Sequence, residues 1–347
     1  MPNSCQLIPR NRLRRIPPEL RLAHEYCFFL HDQCARLLVE YEAAKAQTVT
    51  INFRDEAESK RFAEVAKQDS ISALREIGRL DEARRVVLNA ITMAMVSDCL
   101  HHIYEALRCL EKRKSIVALN LLRKPLMDSL IHLSWMLGDE SAFYEAFTSG
   151  EPEALATKKL GNHRAKIIQD ALLQTQIGGV IDAAFVRTMI FDRTYAHGLQ
   201  KLLQHAVHLI TVDYPELKTS PENFNFIFKR PDENDIYHSL YENLPPLFFY
   251  LSHVILELFD RITPMDAGAK TAFVVRSLYA LHLLDGGEAT TDTCNRMEKA
   301  FGTTTHCPDC KVPFRFTVHN AARTLLTESV RCAKCRVVHG FPFAWLF

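Results

Sequence analysis

Four cysteines near the C-terminal end have the types and spacing to hold a metal ion. They occur as His306-Cys307-Pro308-Asp309-Cys310 and Arg331-Cys332-Ala333-Lys334-Cys335. Two Cys-x-x-Cys pairs about twenty residues apart have the spacing of a zinc ribbon. A two-residue gap lets both thiolates of a knuckle reach one ion, with the intervening amides turned toward the sulfurs. Two knuckles complete a tetrahedral four-thiolate shell, which leaves no position for substrate and so points to a structural Zn2+ held by Cys307, Cys310, Cys332 and Cys335. A redox pair and chance clustering are the alternatives.

The same segment is rich in cations. Lys311, Arg315, Arg323, Arg331, Lys334 and Arg336 stand against Asp309 and Glu328, the only acids between Cys307 and Arg336. The chain as a whole is nearly neutral, with 42 Lys+Arg, 41 Asp+Glu and a formal net charge of +1, so no global field recruits a polyanion. A local contact through Lys311, Arg315, Arg331, Lys334 and Arg336 is therefore expected to give weak, sequence-independent nucleic-acid binding that falls steeply with salt. Phe314 and Phe316 lie among these charges and, if exposed, would stack on unpaired bases. Packing of these rings, with Phe341, Phe343 and Trp345, onto the rest of the protein is the alternative.

Other polar constellations are less specific. Asp98, His101, His102 and Glu105 share the side of a helix away from its apolar stripe, and Asp235-Ile236-Tyr237-His238 repeats the acid-x-x-His spacing. A di-iron bundle needs Glu-x-x-His on two inward-facing helices plus carboxylates from two more; here the acids are Asp and one group faces outward, which favours a solvated polar face or interhelix hydrogen bonds. His197, His205 and His208 are expected on one side of a single helix with Lys201, as a polar network or a nucleic-acid groove. Their spread over about three turns is too wide for one ion. There is no Walker lysine loop, dinucleotide glycine pattern or Gly-x-Ser-x-Gly elbow.

The elements that must position these residues are mostly helical. Met1 to Pro18 reads as a flexible basic arm, carrying Arg10, Arg12, Arg14 and Arg15, which ends at Pro17-Pro18. Apolar spacing predicts a helix over 19–47, an extended link at 48–53, a charged helix over 55–68 and a cap at Asp69 or Ser70. Met93, Val96, Leu100, Ile103, Leu107 and Leu110 form one stripe, and Leu119, Leu122, Leu126, Leu130, Leu133 and Leu137 form another. The joint at 111–114 predicts that these two segments are an antiparallel hairpin, with Pro125 kinking the second. Pro245-Pro246 is expected to start a helix that is apolar all round through Ile262. Thr263-Pro264 is expected to cap the next, and the segments 313–318 and 336–347 look like strands around the metal. The most apolar run, Leu247 to Phe259, is too short to span a bilayer. The N-terminus lacks the apolar stretch of a cleavable signal. Ten cysteines, six of them scattered in apolar surroundings, suit a reducing cytoplasm.

Two segments resemble a bacterial all-α group, the DUF5677 and abortive-infection proteins related to HEPN domains. One is Leu121-Leu122-Arg123-Lys124-Pro125-Leu126-Met127-Asp128-Ser129-Leu130, which has a basic residue shortly before an acid. The other is Phe191-Asp192-Arg193-Thr194-Tyr195-Ala196-His197-Gly198, which contains Tyr-x-His. The resemblance spans roughly residues 85 to 212. It implies a helical bundle and a role in phage defence or as a mobile-element accessory; a homodimer is a separate expectation. Many HEPN proteins are metal-independent ribonucleases with Arg, four to six residues, then His. Here Arg193 and His197 are separated by three residues, one short of that signature. If they act, His197 is the general acid or base on a ribose hydroxyl and Arg193 steadies the developing charge. The alternative is a helix-start ion pair or a core contact. Arg276 and His282 match the spacing formally, but at this Arg frequency roughly three matches are expected by chance.

The sequence thus predicts a mainly α, multi-helix HEPN-like bundle over 19–302, preceded by the arm at 1–18 and followed by a small β zinc ribbon over 303–347. The expected function is to bind nucleic acid, and to cleave it if the Arg193 and His197 pair is active. The competing reading is a non-catalytic module that docks a protein partner. No membrane association is expected.

Overall fold

Residues 247–259 are apolar on almost every face, and such a helix is stable only where other elements surround it. In the computed structural model, which describes residues 4–67, 69–212, 215–226, 230 and 233–342, this run lies at the centre of a mainly helical protein. The helices Arg21–Ala43, Leu80–Glu111, Leu130–Gly138 and Ala267–Asp285 pack around it. The central helix runs from Asp235 to Ile262, so Pro245 and Pro246 lie inside it and do not start it. Neither proline has an N–H for the carbonyls of Tyr241 and Glu242. Burial of Ile236, Tyr237, Leu240 and Tyr241 nevertheless holds the preceding turns in line.

The expected hairpin is present. Leu80–Glu111 turns at 112–114, where Arg113 has φ +61°, into Ser115–Lys124. A π-helical turn, Pro125–Ser129, separates this from Leu130–Gly138, which is the break expected of an internal proline. Leu126 and Leu130 are fully buried in the same core as Leu100, Ile103 and Leu107. Gly138 allows a close helix crossing: a Cβ there would lie 2.7 Å from the Ala171 nitrogen. Asp55 and Asp69 cap the helices that follow them, accepting from the Glu58 and Ile71 amides.

Thr263 does not cap the next helix. It closes the central one, and the cap role falls to Asp266, whose side chain accepts from the Ala269 amide at 2.9 Å. The basic arm is also not free. Cys5, Ile8, Leu13 and Ile16 are buried in the main core. Buried Glu25 accepts from the Cys5 amide at 2.6 Å, the Ile8 amide at 3.1 Å and the Ser4 hydroxyl at 3.1 Å. Arg12 makes a two-pronged bond to Glu111, with distances of 2.6 to 3.1 Å. Among the described residues one helix, Leu80–Glu111, is long and apolar enough to cross a membrane by length and composition; 39% of its apolar window is buried within the protein.

Two stability experiments follow from this core. Leu130→Ala is expected to cost about 2–5 kcal/mol in urea unfolding. Leu173→Ala, at a site 71% exposed, should change stability by about 0.5 kcal/mol or less. His253 is buried beside Ser277, with Nε2 and the hydroxyl 2.9 Å apart, and burial pushes its pKa down to about 3. The unfolded chain binds that proton near pH 6.5. Its stabilisation is therefore complete above that pH and is lost as pH falls, amounting to about 1.4 kcal/mol at about pH 5.5. Urea curves at about pH 7 and 5.5 should show His253→Gln losing less stability on acidification than the parent protein.

Candidate metal centre

The sulfurs of Cys307, Cys310, Cys332 and Cys335 all lie within 4.8 Å of one another. Cys307 and Cys335 are 3.6 Å apart, and Cys310 and Cys332 are 3.5 Å apart. The two knuckles repeat one backbone design. In the first, the Cys307 amide donates to the Val312 carbonyl at 2.9 Å and the Lys311 amide to the Cys307 carbonyl at 2.9 Å. In the second, the Cys332 amide donates to Val337 at 2.9 Å and the Arg336 amide to Cys332 at 3.1 Å. Lys311 and Arg336, each one residue past the second cysteine, take φ values of +60° and +66°. That conformation is uncommon for residues with a Cβ; here it turns each loop back so that both sulfurs point inward. Backbone N–H groups, that of Cys335 foremost, push the Cys332 thiol down, whereas at Cys335 the Val337 amide is outweighed by burial and the neighbouring sulfurs, which push its thiol up, so within the cluster the thiolate forms first at Cys332.

His339 is the neighbour that the cysteine spacing did not reveal. Its Nε2 lies 3.2 Å from the Cys307 sulfur and 3.8 Å from an Asp309 carboxylate oxygen. A second potential ligand group, Cys307, Asp309, Cys335 and His339, therefore overlaps the first. Soft thiolates hold a tetrahedral ion better than the mixed set does, so His339 fits the role of a donor to a ligand sulfur. The only sequence signal for it is its position four residues past Cys335. Among the described residues, no other cluster of ligating side chains forms. Asp98 pairs with Lys124 at 2.7 Å, and His238 lies 3.3 Å from Glu19. The acid-x-x-His repeats are therefore not assembled into one site.

The small sheet beside the cysteines is present, but the segment 313–318 is not the expected strand. Only Pro313 of 313–318 makes a bridge, to His306, and the helix Val318–Thr327 follows. The sheet consists of β1, Ser329–Arg331, antiparallel to β2, Val338–Gly340. Of the expected strand at 336–347, residues 343–347, with Phe343 and Trp345, lie outside the described residues. The inserted helix buries Ala321, Ala322, Leu325 and Leu326, and an apolar face of that width must sit on the core. Arg276 donates to the Leu325 carbonyl at 2.7 Å. The Asn320 amide group donates to the carbonyls of Arg315 at 2.7 Å and Arg331 at 3.0 Å, tying the two flanks of the helix together. The metal centre thus shares the core of the helical body.

This burial sorts the basic residues. Arg323 is buried and bonded to the Cys5 carbonyl at 2.8 Å and the Ser329 hydroxyl at 2.8 Å, so it is not an exposed loop cation. Arg315 pairs with Glu298 at 2.9 Å. Lys311, Lys334 and Arg336 are exposed. Arg331 turns its Nε to the Arg336 carbonyl at 3.1 Å and faces the N-terminal segment. Phe314 and Phe316 are buried, so neither is free to stack on a base; Phe316 packs against Phe301 and Phe341 with ring centroids 5.7 Å away in each case.

Arg193 and His197 occupy an exposed loop between the helices Ala183–Phe191 and Leu199–Val207. His197 Nδ1 lies 3.9 Å from a Glu242 carboxylate oxygen. The helix starts after His197 and ends before His208, so the three histidines do not line one helix face; His205 bonds instead to the Leu217 carbonyl at 2.7 Å. A cleft of about 830 Å³ lies nearby, walled by Val180, Phe185, Pro246 and Leu281 and edged by Glu19 and Glu242. Neither Arg193 nor His197 lines it.

Removing one ligand tests the centre. Cys335→Ser should abolish one-to-one metal loading and remove the thiolate-to-metal charge-transfer absorbance of the cobalt(II)-loaded protein. Leu173→Ala should leave both unchanged. No family model matches this chain, and no match is found among characterised proteins or solved structures.

Proposed function

We propose that this is a zinc-stabilised nucleic-acid-binding protein, with the charged rim of the four-cysteine centre as the contact. The observation that carries this reading is the equivalence of Lys311 and Arg336. Each follows the second cysteine of its knuckle in the same left-handed conformation and is exposed. Neither these side chains nor that of Lys334 has a carboxylate partner among the described residues. Three unneutralised cations held rigidly by one metal site suit a phosphate backbone. Zinc is the proposed ion because a closed four-thiolate shell matches its preferred structural site. Ten unpaired thiols suit a reducing, cytoplasmic setting.

The resemblance to HEPN-related proteins supports a role in bacterial defence or as a mobile-element accessory. It also makes Arg193 and His197 the pair to examine for cleavage. The carboxylate of Glu242 near His197 is a suitable partner for an imidazole that takes up a proton. A second reading, a module that docks another protein, is favoured by the exposed apolar residues Val207, Leu209, Ile210 and Val212.

Anisotropy of a labelled single strand should show binding at low salt that weakens steeply as salt rises. Lys334→Glu with Arg336→Glu should weaken it by about tenfold or more and flatten the salt slope by about 0.7 for each phosphate no longer neutralised. Elemental analysis should find one zinc per chain. Absence of binding at low salt, or no response to charge reversal, would transfer support to the protein-docking reading. RNA cleavage that disappears in folded His197→Ala would add catalysis; no cleavage by the parent protein would remove it.

A further inference from the structure

A second cationic site forms where the N-terminal segment meets the helix between the knuckles. Ser4, Gln6, Arg10, Leu13, Arg21, His319 and Arg331 line a cleft of about 370 Å³. Three arginines and a histidine come together here from two ends of the chain, and among the described residues no carboxylate lines the cleft. Arg10 has no ion pair among the described residues, while Arg21 and Arg331 spend only their Nε atoms, on the carbonyls of Ile16 at 3.3 Å and Arg336 at 3.1 Å. His319 turns Nδ1 to the Ser4 carbonyl at 3.2 Å, which assigns the proton to that nitrogen. Glu25, bonded to the hydroxyl of cleft-lining Ser4, does not itself line the cleft, and its oxygens already serve two backbone amides as well.

Like charges gathered in a concave site repel unless an anion sits among them. Guanidinium groups match the oxygens of a tetrahedral oxyanion in pairs, which an ammonium does not. We propose that this cleft binds a phosphomonoester dianion through Arg10, Arg21 and Arg331. A monoester suits it better than a backbone diester because it carries more charge to set against three guanidinium groups. A monoester also enters a concave site end-on, whereas a diester is flanked by sugar on both sides. Resting on the nucleic-acid function proposed above, the source is the terminal phosphate of a strand, with its neighbouring backbone carried toward Lys334 and Arg336. Arg331 lies in the cleft and contacts Arg336, so the two surfaces are continuous.

The test compares the zinc-loaded full chain with two labelled strands of one sequence, one ending in a 5′-phosphate and the other in a 5′-hydroxyl. A mononucleotide and inorganic phosphate serve as competitors. The phosphorylated strand should bind about tenfold tighter, as expected for charge-assisted bonds to one added group. Arg10→Gln and Arg21→Gln should each erase that preference while retaining the parent thermal midpoint and the salt-dependent binding of the hydroxyl strand. Equal affinity for the two strands, with no competition by the mononucleotide, overturns the cleft and leaves the nucleic-acid reading standing. Arg10-dependent binding of the mononucleotide, with neither strand bound, supports the cleft and overturns the nucleic-acid reading. A preference that survives both substitutions overturns the assignment to these arginines.

Discussion

Glu25 is a charged side chain placed where water does not reach, and such a group must be bonded on all sides. Its partners come from the N-terminal segment: the amides of Cys5 and Ile8 and the hydroxyl of Ser4. On the opposite side of the same segment, Arg323 donates to the Cys5 carbonyl. The segment is thus clasped between a carboxylate of the Arg21–Ala43 helix and a guanidinium of the helix between the knuckles. Removing either partner would strand buried polar groups, at a cost larger than that of an ordinary surface contact. This clasp brings residues 4–21 against the C-terminal unit, and both the fixed arm and the arginine cleft depend on it.

The cysteine centre and the helical core support one another through the same helix. Two short knuckles and a two-stranded sheet bury little apolar surface by themselves, and small units of that kind ordinarily need a metal to fold. Here the connection between them also places Leu325 and Leu326 in the main core, and Asn320 bridges the backbone on either side. A metal bound by the four sulfurs would fix both ends of the inserted helix, and the buried helix in turn holds the two knuckles at the separation an ion requires. His339 reaches the Cys307 sulfur because β2 pairs with β1, which places His339 opposite Val330.

The charge distribution follows from this arrangement. Burial withdraws Arg323, and Glu298 neutralises Arg315, so the basic excess of the segment is divided unevenly. What stays exposed is concentrated on the knuckles, at Lys311, Lys334 and Arg336, with Arg331 linking them to Arg10 and Arg21. A nearly neutral chain therefore carries a local cationic surface whose two parts draw on residues more than 300 positions apart in the sequence.

Features that depend on local spacing can be read along the chain. The two-residue gap between cysteines dictates the knuckle, and the three-and-four spacing of Leu100, Ile103 and Leu107 dictates a buried helix face. Pro125 enforces the break within the second hairpin arm because it has no amide to give. Tertiary structure decided what depends on burial. Pro245 and Pro246 stay inside a helix because the surrounding side chains hold its axis through the missing bonds, an effect that no local propensity contains. The segment 313–328 became an extended run and a helix because its apolar residues had a core to join. Phe314 and Phe316 turned inward for the same reason, which removed them from any contact with a base. The cleft of Arg10, Arg21 and Arg331 was invisible in the chain because charge acts through space: the buried Glu25 and Arg323 contacts, with Cys5, Ile8, Leu13 and Ile16 in the core, bring those three side chains together.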